Sequence, residues 1–335
     1  MTSLVRVAIV GLPLLLLSIT CAVSFGAIAI PVEQVWSIVL HKLKPDLIET
    51  TWSAGRESIV WEVRFPRALL AVLVGAGLSV VGATLRPATR NPLADPHLLG
   101  VSSGAAFGAI LALMHIGLIL GLVTVPLFAF IGALGATGIV LAVSRFANAM
   151  SADRLVLAGV AVSFVIMALA NLLIFLGDPR AVHTVVFWML GGLSLAQWAH
   201  LIYPTAALVL CVSYVVLRAP PLNALAMGDE TAASLGIPVT RFRLTIFVAA
   251  ALLTGAMVAF SGAIGFIGLM VPHVARFLLG GDSARVIPGS ALIGAIALLW
   301  ADIVARTIVA PEDMPIGIVT GLVGGLFFIL LLRRQ

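Results

Sequence analysis

Charged side chains are scarce in this chain. Asp, Glu, Lys and Arg make up 10% of its 335 residues, whereas hydrophobic residues make up 61%. A soluble domain carries about 25% charged residues, so this composition excludes a water-soluble protein. One membrane-spanning helix needs about 20 mostly apolar residues. We therefore expect an all-α polytopic membrane protein with about ten transmembrane helices, folded as a single unit over residues 1–335.

Lysine and cysteine are rarer still. The two lysines, Lys42 and Lys44, follow no glycine-rich loop, so the phosphate-binding motif G-x-x-x-x-G-K-[ST] is absent and the chain has no such nucleotide site. Cys21 and Cys211 lie in apolar stretches without the Cys/His spacing of a zinc site, and we expect inert thiols and no bound metal. The net charge of +5 is spread out without interleaved aromatic residues, which excludes a nucleic-acid site.

Ionisable groups are also nearly missing from the predicted spans. Asp302 and His200 lie near span ends, and Asn171 is polar but uncharged. Because intramembrane carboxylates mark proton and ion pathways, their scarcity counts against an ion-coupled carrier. The chain also lacks H-E-x-x-H and G-x-S-x-G, which counts against a membrane enzyme. We expect a translocation pathway that takes its energy from a partner.

The apolar runs predict ten spans, separated by two long polar connections at 31–62 and 219–243. The first run has one preceding arginine and is also compatible with a signal peptide. A retained helix is favoured, because it completes the even number of spans that is expected. The spans lie at about 8–30, 67–85, 98–114, 118–143, 155–176, 196–217, 244–264, 265–279, 288–305 and 314–332.

The distribution of lysine and arginine predicts the orientation of these spans, because cytoplasmic connections are enriched in both residues. Of the 19 such residues, twelve fall on the side of the N-terminus and seven on the opposite side, which predicts cytoplasmic termini and a cytoplasmic 219–243 segment. The twelve are Arg6, Arg86, Arg90, Arg145, Arg154, Arg218, Arg241, Arg243, Arg276, Arg285, Arg333 and Arg334. The seven are Lys42, Lys44, Arg56, Arg64, Arg67, Arg180 and Arg306.

The stretch "APPLNALAMGDETAASLGIPVTRFR", which begins at Ala219, interrupts the apolar pattern. Two prolines end the sixth span, and Asn223 is suited to cap a short helix that Gly228 then breaks. Asp229 and Glu230 suit the start of a second short helix, which Gly236 closes. We predict two short helices at the membrane face, called the knob below (residues 219–236), over which a soluble partner closes. An ordinary ordered loop is the alternative.

Several motifs resemble those of the iron-chelate and cobalamin permease family, the membrane subunits of type II ATP-binding-cassette importers. The resemblance covers nearly the whole chain in order, and the combination of motifs is specific. The matching stretches are "RFPRALLAVLVGAGLSVVGATLR" (64–86), "RNPLADPHLLGVSSGAAFGA" (90–109), "FWMLGGL" (187–193), "GDETAASLGI" (228–237), "GAIGFIGLMVPHVARFLLGGD" (262–282) and "ADIVARTIVAPEDMPIGIVTGLVGG" (301–325).

This resemblance implies the type II importer permease fold, with ten spans per subunit and a homodimer in the bacterial inner membrane. It implies two cytoplasmic ATPase subunits, which use ATP and Mg, and a periplasmic binding protein. The chain itself binds no cofactor and is not an enzyme. The implied ATPase-coupling residues are Asn223, Gly228, Asp229, Glu230, Ala232, Ala233, Leu235 and Gly236. The implied docking residues for the binding protein, on the periplasmic side with the 31–62 loop, are Arg64, Arg67 and Arg306.

The cargo is least constrained by the sequence. Arg180 and His183, after the fifth span, are expected at a cavity mouth, where they would face haem propionates, anionic siderophore groups or haem iron. With Asn171 they are the substrate-pathway candidates, although interfacial residues without a ligand remain an alternative. Haem ranks slightly ahead of ferric siderophores, and cobalamin ranks third. An ion-coupled secondary carrier and a purely structural membrane subunit are the rival functions.

Overall fold

The computed structural model describes residues 3–26, 28–95, 100–146 and 152–333, and these residues are helical with no β-strand among them. The helices are α1 (Ser3–Ser24), α2 (Val32–Leu43), α3 (Ala54–Ser58), α4 (Phe65–Thr89), α5 (Val101–Leu111), α6 (Thr124–Phe146), α7 (Ala152–Leu176), α8 (Val182–Met189), α9 (Ile202–Leu217), α10 (Ala219–Met227), α11 (Asp229–Ser234), α12 (Val239–Ser261), α13 (Ile267–Leu279), α14 (Ser283–Thr307) and α15 (Ile316–Leu332).

The number of spans agrees with the sequence prediction. Seven described helical segments are long and apolar enough to cross a membrane, and three shorter apolar ones, Val101–Ile116, Ile267–Leu279 and Ile316–Leu331, complete the expected ten. The short eighth span is α13, with 13 residues. The first two residues of the predicted third span, 98 and 99, lie outside the described residues.

The prediction of a long loop at 31–62 was wrong. This segment contains α2 and α3, and α3 continues through a π-helical turn at Ile59–Arg64 directly into α4. The second span is therefore one unbroken helical segment, Ala54–Thr89, rather than 67–85. Apolar residues such as Val35 and Val60 are fully buried, and their burial against the bundle outweighs the polar residues that suggested a loop.

The centre of the bundle is formed by α4, α12 and α14. The most apolar stretches of the segments containing α4 and α12 are 83% and 72% buried, compared with 22% for α7. The helices α4 and α14 run antiparallel and touch backbone to backbone, because a Cβ atom at Gly75 would collide with the carbonyl oxygen of Gly294. Small residues permit this approach where lipid supplies no hydrophobic drive between helices.

The bundle has two polar ends. Arg64, Arg67 and Arg306 lie together with residues 22–25 and Ile28 at one end, called the arginine end. Arg90 and Arg243 lie with the knob at the other end, called the knob end. This grouping agrees with the charge count, although Arg334 lies outside the described residues. The side of the membrane that each end faces stays a prediction.

Candidate functional site

The knob consists of two short helices, as its sequence predicted. The helix α10 has proline in its first turn, where the missing N–H group is not needed. Gly228 ends α10 with a φ of 131°, and Gly236 follows α11 with a φ of 79°. Both angles lie in the region that favours glycine. The backbone therefore folds sharply at these two points, which gives the knob a defined shape.

Asp229 is fastened to the membrane bundle. Its Oδ1 atom accepts a hydrogen bond of 2.6 Å from Nη2 of Arg243, in the first turns of α12. The buried Arg243 also donates from Nε to the carbonyl oxygen of Ala88, at the end of α4, over 3.0 Å. The Nε atom of Arg90 lies 3.9 Å from the same carboxylate oxygen. Asp229 thus attaches α11 to the knob-end termini of α4 and α12, in addition to lying at a helix start.

Asn223 does not cap a helix within the knob, and that prediction was wrong. It lies inside α10, because the helix begins earlier, at Ala219. Its Nδ2 atom donates to Oδ1 of Asp282 over 2.8 Å, and its Oδ1 atom accepts from the backbone N–H of Ser283 over 2.9 Å. Asn223 therefore binds the N-terminus of α14, a helix that starts 60 residues later in the chain.

The outer surface of the knob presents two large apolar side chains. Met227, at the end of α10, is 74% exposed, and Leu235, just after α11, is 65% exposed. Ala233 and Glu230 are exposed beside them, whereas Ala232 is fully buried. The two alanines were expected to share one surface, but only Ala233 lies on it, because neighbouring residues of a helix point in different directions. No sequence pattern distinguished Met227 from its neighbours.

The three arginines expected to dock the binding protein are buried, each 7% exposed. Arg67 donates from Nε to Oδ1 of Asp302 over 2.9 Å and from Nη1 to Oδ2 of Asp313 over 2.5 Å. Arg306 lies 2.9 Å from Oδ2 of Asp302, one helical turn away. The sequence did not indicate that these guanidinium groups are bonded within the chain, and their role in docking stays a prediction.

Backbone carbonyl groups at the arginine end accept hydrogen bonds from Arg64 and Arg306. Nη1 of Arg64 donates to the carbonyl oxygens of Val23 and Ser24, over 2.8 and 2.9 Å. Arg306 donates from Nη2 to the carbonyl oxygen of Ala22 over 2.9 Å. These carbonyl groups belong to the last turn of α1, where carbonyl oxygens have no partner within the helix and need other donors. The arginines thus bind α1 to α4 and α14.

A cavity of about 840 Å³ opens beside these arginines. Its wall includes α8, the 190–197 turn, the end of α12 and the turn before α15. Arg67, Asp313, His183 and Gln197 contribute polar groups to this wall. The ring of His183 lies against that of Phe187, with centroids 4.4 Å apart. A cavity with apolar walls and a few polar groups is typical of a small-molecule site.

The other two pathway candidates lie outside the lining of this cavity. Arg180 is exposed, in a short turn where its backbone N–H donates to Oδ1 of Asp178 over 2.9 Å. Asn171 is an exposed residue of α7. The structure therefore brings only His183, of the three, to the cavity wall.

Comparison with known proteins gives the family. A model of the FecCD transport family matches residues 14–334. The chain belongs to this family. The hemin transport system permease protein of Yersinia pestis is 41% identical over 293 residues, which cover 85% of this chain and 87% of the relative. The vitamin B12 import system permease protein of Salmonella paratyphi A (strain ATCC 9150 / SARB42) is 41% identical over 285 residues, or 84% of this chain and 86% of the relative.

A solved structure shares the fold of this FecCD permease along its whole length. An inward-facing metal-chelate type ABC transporter superimposes with a TM-score of 0.84 at 29% identity, covering 98% of this chain and 99% of the other. The FecCD permease is accordingly a polytopic membrane subunit of a type II ABC importer. It forms the translocation pathway and is not an enzyme, because a separate ATPase subunit hydrolyses ATP. ATPase and binding-protein partners follow from the family.

Proposed function

We propose that this permease imports an iron chelate across the bacterial inner membrane, with haem ranked first, ferric siderophores second and cobalamin third. It works as a homodimer bound to two ATPase subunits, with both termini in the cytoplasm. The knob receives the motion of the ATPase, and a cargo-loaded binding protein docks at the arginine end. The positions of the knob and the cavity at opposite ends of one bundle support this arrangement.

The observation that carries the ATPase role is the outer surface of the knob. Met227 and Leu235 are exposed at the turns that end α10 and follow α11, while Asn223 and Asp229 are bonded inward. Exposed apolar side chains on a rigid support are suited to fill pockets on a partner. Because Asn223 and Asp229 bond the knob to the bundle, a force applied to the knob passes into the bundle rather than deforming a loop.

The second copy of the proposed homodimer can pack on the exposed faces of α7 and α15, which in a membrane contact either lipid or another subunit. Both carry large apolar side chains that the single chain leaves uncovered, including Phe164, Phe175 and Leu322. Only 22% of the apolar stretch of α7 is buried. A second copy placed against these faces would enclose a pathway between the subunits.

The ranking of haem first rests on the cavity. His183 and Phe187 present an imidazole and an aromatic ring on its wall, groups that bind iron and stack on a porphyrin. Cobalamin is retained as the third candidate, because the vitamin B12 relative and the hemin relative are both 41% identical to this chain. A proton-coupled carrier is disfavoured, since the buried Asp302 carboxylate is paired with two arginines.

Reconstitution into proteoliposomes tests the proposal. The purified permease is combined with its ATPase and binding protein, and uptake of haem, a ferric hydroxamate siderophore and cyanocobalamin is measured in parallel. We expect uptake that requires internal ATP and is greatest for haem. Uptake by the permease alone, driven by a proton gradient, would contradict the importer assignment. Exclusive uptake of cyanocobalamin would keep the importer but reject the iron-chelate cargo.

A further inference from the structure

The knob is attached to the bundle at two separate points. The first connects α11 to α4 through Asp229, Arg243 and the carbonyl oxygen of Ala88. The second connects α10 to α14 through Asn223 and the Asp282–Ser283 turn. The two helices that receive these ties, α4 and α14, are the pair in contact at Gly75 and Gly294. A displacement of the knob therefore acts on one tightly packed helix pair.

The Asn223–Asp282 contact is more than a helix cap. Asp282 already caps α14 by accepting a hydrogen bond of 3.1 Å from the backbone N–H of Ala284. Asn223 adds a bond to the same carboxylate and accepts the next free N–H group, that of Ser283. The Asn223 amide, followed by the Ala284 N–H, holds the pKa of Asp282 below its ordinary value. The side-chain amide of Asn223 in α10 thus donates to an ionised carboxylate at the start of α14.

The helix α14 reaches from this contact to the cavity. Its 25 residues extend about 37 Å at 1.5 Å per residue. Near its far end, Asp302 accepts a hydrogen bond from Arg67, and Arg67 also binds Asp313. Arg67 and Asp313 both line the cavity. One continuous helix therefore has the knob at its first residue and the charged wall of the cavity beside its last turns.

We propose that the Asn223–Asp282 contact is the joint through which the knob moves α14, so that both residues are positioning residues for ATP-coupled transport. The proposal rests on the importer function proposed above and adds the route by which the ATPase reaches the cavity. The joint transmits motion in both directions, so loading of the arginine end by the binding protein also reaches the knob. When the joint is lost, ATP is still hydrolysed but fewer cargo molecules move per ATP.

A paired substitution of the two side chains tests the joint. Asn223→Asp keeps an acceptor for the Ser283 N–H but puts a second carboxylate against Asp282, and like charges at this distance repel. Asp282→Ser in the same chain removes the repulsion, because a serine oxygen still accepts from the Ala284 N–H while its O–H donates to the introduced carboxylate. In proteoliposomes with the ATPase and binding protein, we measure uptake per ATP hydrolysed, using the probe among haem, ferric hydroxamate siderophore and cyanocobalamin that the wild-type complex transports.

We expect Asn223→Asp to lower uptake per ATP by about fivefold and the double variant to restore most of it, as for a directly coupled pair. The control is Asn91→Asp, at the same end, where the side chain accepts from the backbone N–H of Leu93 over 2.8 Å. This isosteric change retains the acceptor and should leave the ratio unchanged. Destabilisation alone lowers uptake and hydrolysis together, so the ratio separates it from loss of the joint.

Two results would overturn the joint. One is an unchanged ratio in Asn223→Asp, and the other is a reduced ratio that Asp282→Ser fails to restore. A wild-type complex that hydrolyses ATP but transports none of the three probes contradicts the proposed cargo alone. The joint is then measured by the stimulation of ATP hydrolysis by the binding protein, which should fall in Asn223→Asp and return in the double variant. Normal wild-type uptake without rescue in the double variant counts against the joint alone.

Discussion

Nε of Arg67, in the first turn of α4, donates to Oδ1 of Asp302, in the last turns of α14, over 2.9 Å. Oδ2 of the same carboxylate lies 2.9 Å from Nε of Arg306, so one fully buried acid lies between two buried bases. The packing of α4 against α14 alone would allow one helix to slide along the other. This ion pair fixes the relative position of the two helices along their axes at the arginine end, beside the cavity.

Asp302→Asn should destabilise the permease strongly. The change leaves two buried guanidinium groups without their shared countercharge, and breaking a buried pair in this way costs about 3–5 kcal/mol. Thermal unfolding in detergent measures the loss. Asp313→Asn is the matched control, because the Asp313 side chain is 48% exposed and its pair is expected to contribute no more than about 1 kcal/mol. Equal losses in both variants would contradict the burial difference.

The knob surface predicts which apolar residues hold the ATPase. Met227→Ser or Leu235→Ser should weaken binding of the ATPase by about tenfold, the size expected for an anchor residue at an interface. The permease should remain folded, because both side chains are exposed. Binding is measured by titrating the ATPase into detergent-solubilised permease. Leu195→Ser, equally exposed on the cavity wall at the other end, should leave ATPase affinity unchanged; a similar loss there would reject the assignment.

The two neighbouring alanines of α11 should respond differently to added bulk. Ala233→Trp projects into the ATPase contact and should reduce ATP-driven uptake while the unfolding temperature stays near that of the wild type. Ala232 is fully buried, so Ala232→Trp should destabilise the permease by about 1–3 kcal/mol through overpacking. Unfolding and uptake are measured on the same preparations. The reverse pattern would mean that α11 is rotated about its axis relative to this structure.

Substitutions at His183 and Arg180 distinguish a residue that contacts the cargo from one that only lies near the cavity mouth. His183→Ala should reduce haem uptake by about tenfold or more if the imidazole contacts the cargo, as for loss of one good polar contact of roughly 1.5 kcal/mol. Arg180→Ala should leave uptake unchanged, because this exposed side chain lies outside the cavity lining. Initial uptake rates at limiting haem provide the measurement. Equal effects of the two substitutions would argue against a specific contact at His183.

The different surroundings of two glycines predict opposite effects on stability when each is replaced by alanine. Gly75→Ala places a methyl group against the carbonyl oxygen of Gly294 and should cost about 1–3 kcal/mol through overpacking. Gly135→Ala, in α6, meets no atom within 4 Å and should stabilise by about 0.5–1 kcal/mol, because alanine restricts the unfolded chain. Thermal unfolding of both variants checks the pair. A stable Gly75→Ala protein would contradict the close approach.

Much of the fold could be predicted because its signals are local. The ten apolar stretches follow from the lack of water inside a membrane, which requires helices about 20 residues long. The α10–α11 break follows from Gly228, whose φ of 131° is unfavourable for other residues. The segment 31–62 was misjudged because its polar residues suggested a loop, whereas burial of one face of α2 against the bundle makes it helical.

The contacts of the site required the three-dimensional structure. The i,i+4 spacing of Asp302 and Arg306 predicts a pair on one helix face, but no sequence pattern indicates that Arg67 lies between Asp302 and Asp313. Arginines near span ends suggested docking groups, yet all three are buried and bonded within the chain. Long guanidinium side chains can fold back onto carbonyl groups of a neighbouring helix end, and that choice depends on which helix is adjacent.

The sequence alone therefore determined the membrane class, the number of spans, the two-helix knob and, through its motifs, the family resemblance. Each of these depends on interactions within a few residues or on the exclusion of water from a membrane. Only the tertiary structure decided that Asn223 binds the start of α14, that Asp229 binds Arg243, and that His183 lines the cavity while Arg180 does not. These contacts join residues distant in the chain, so they exist only once α4, α12 and α14 have packed together.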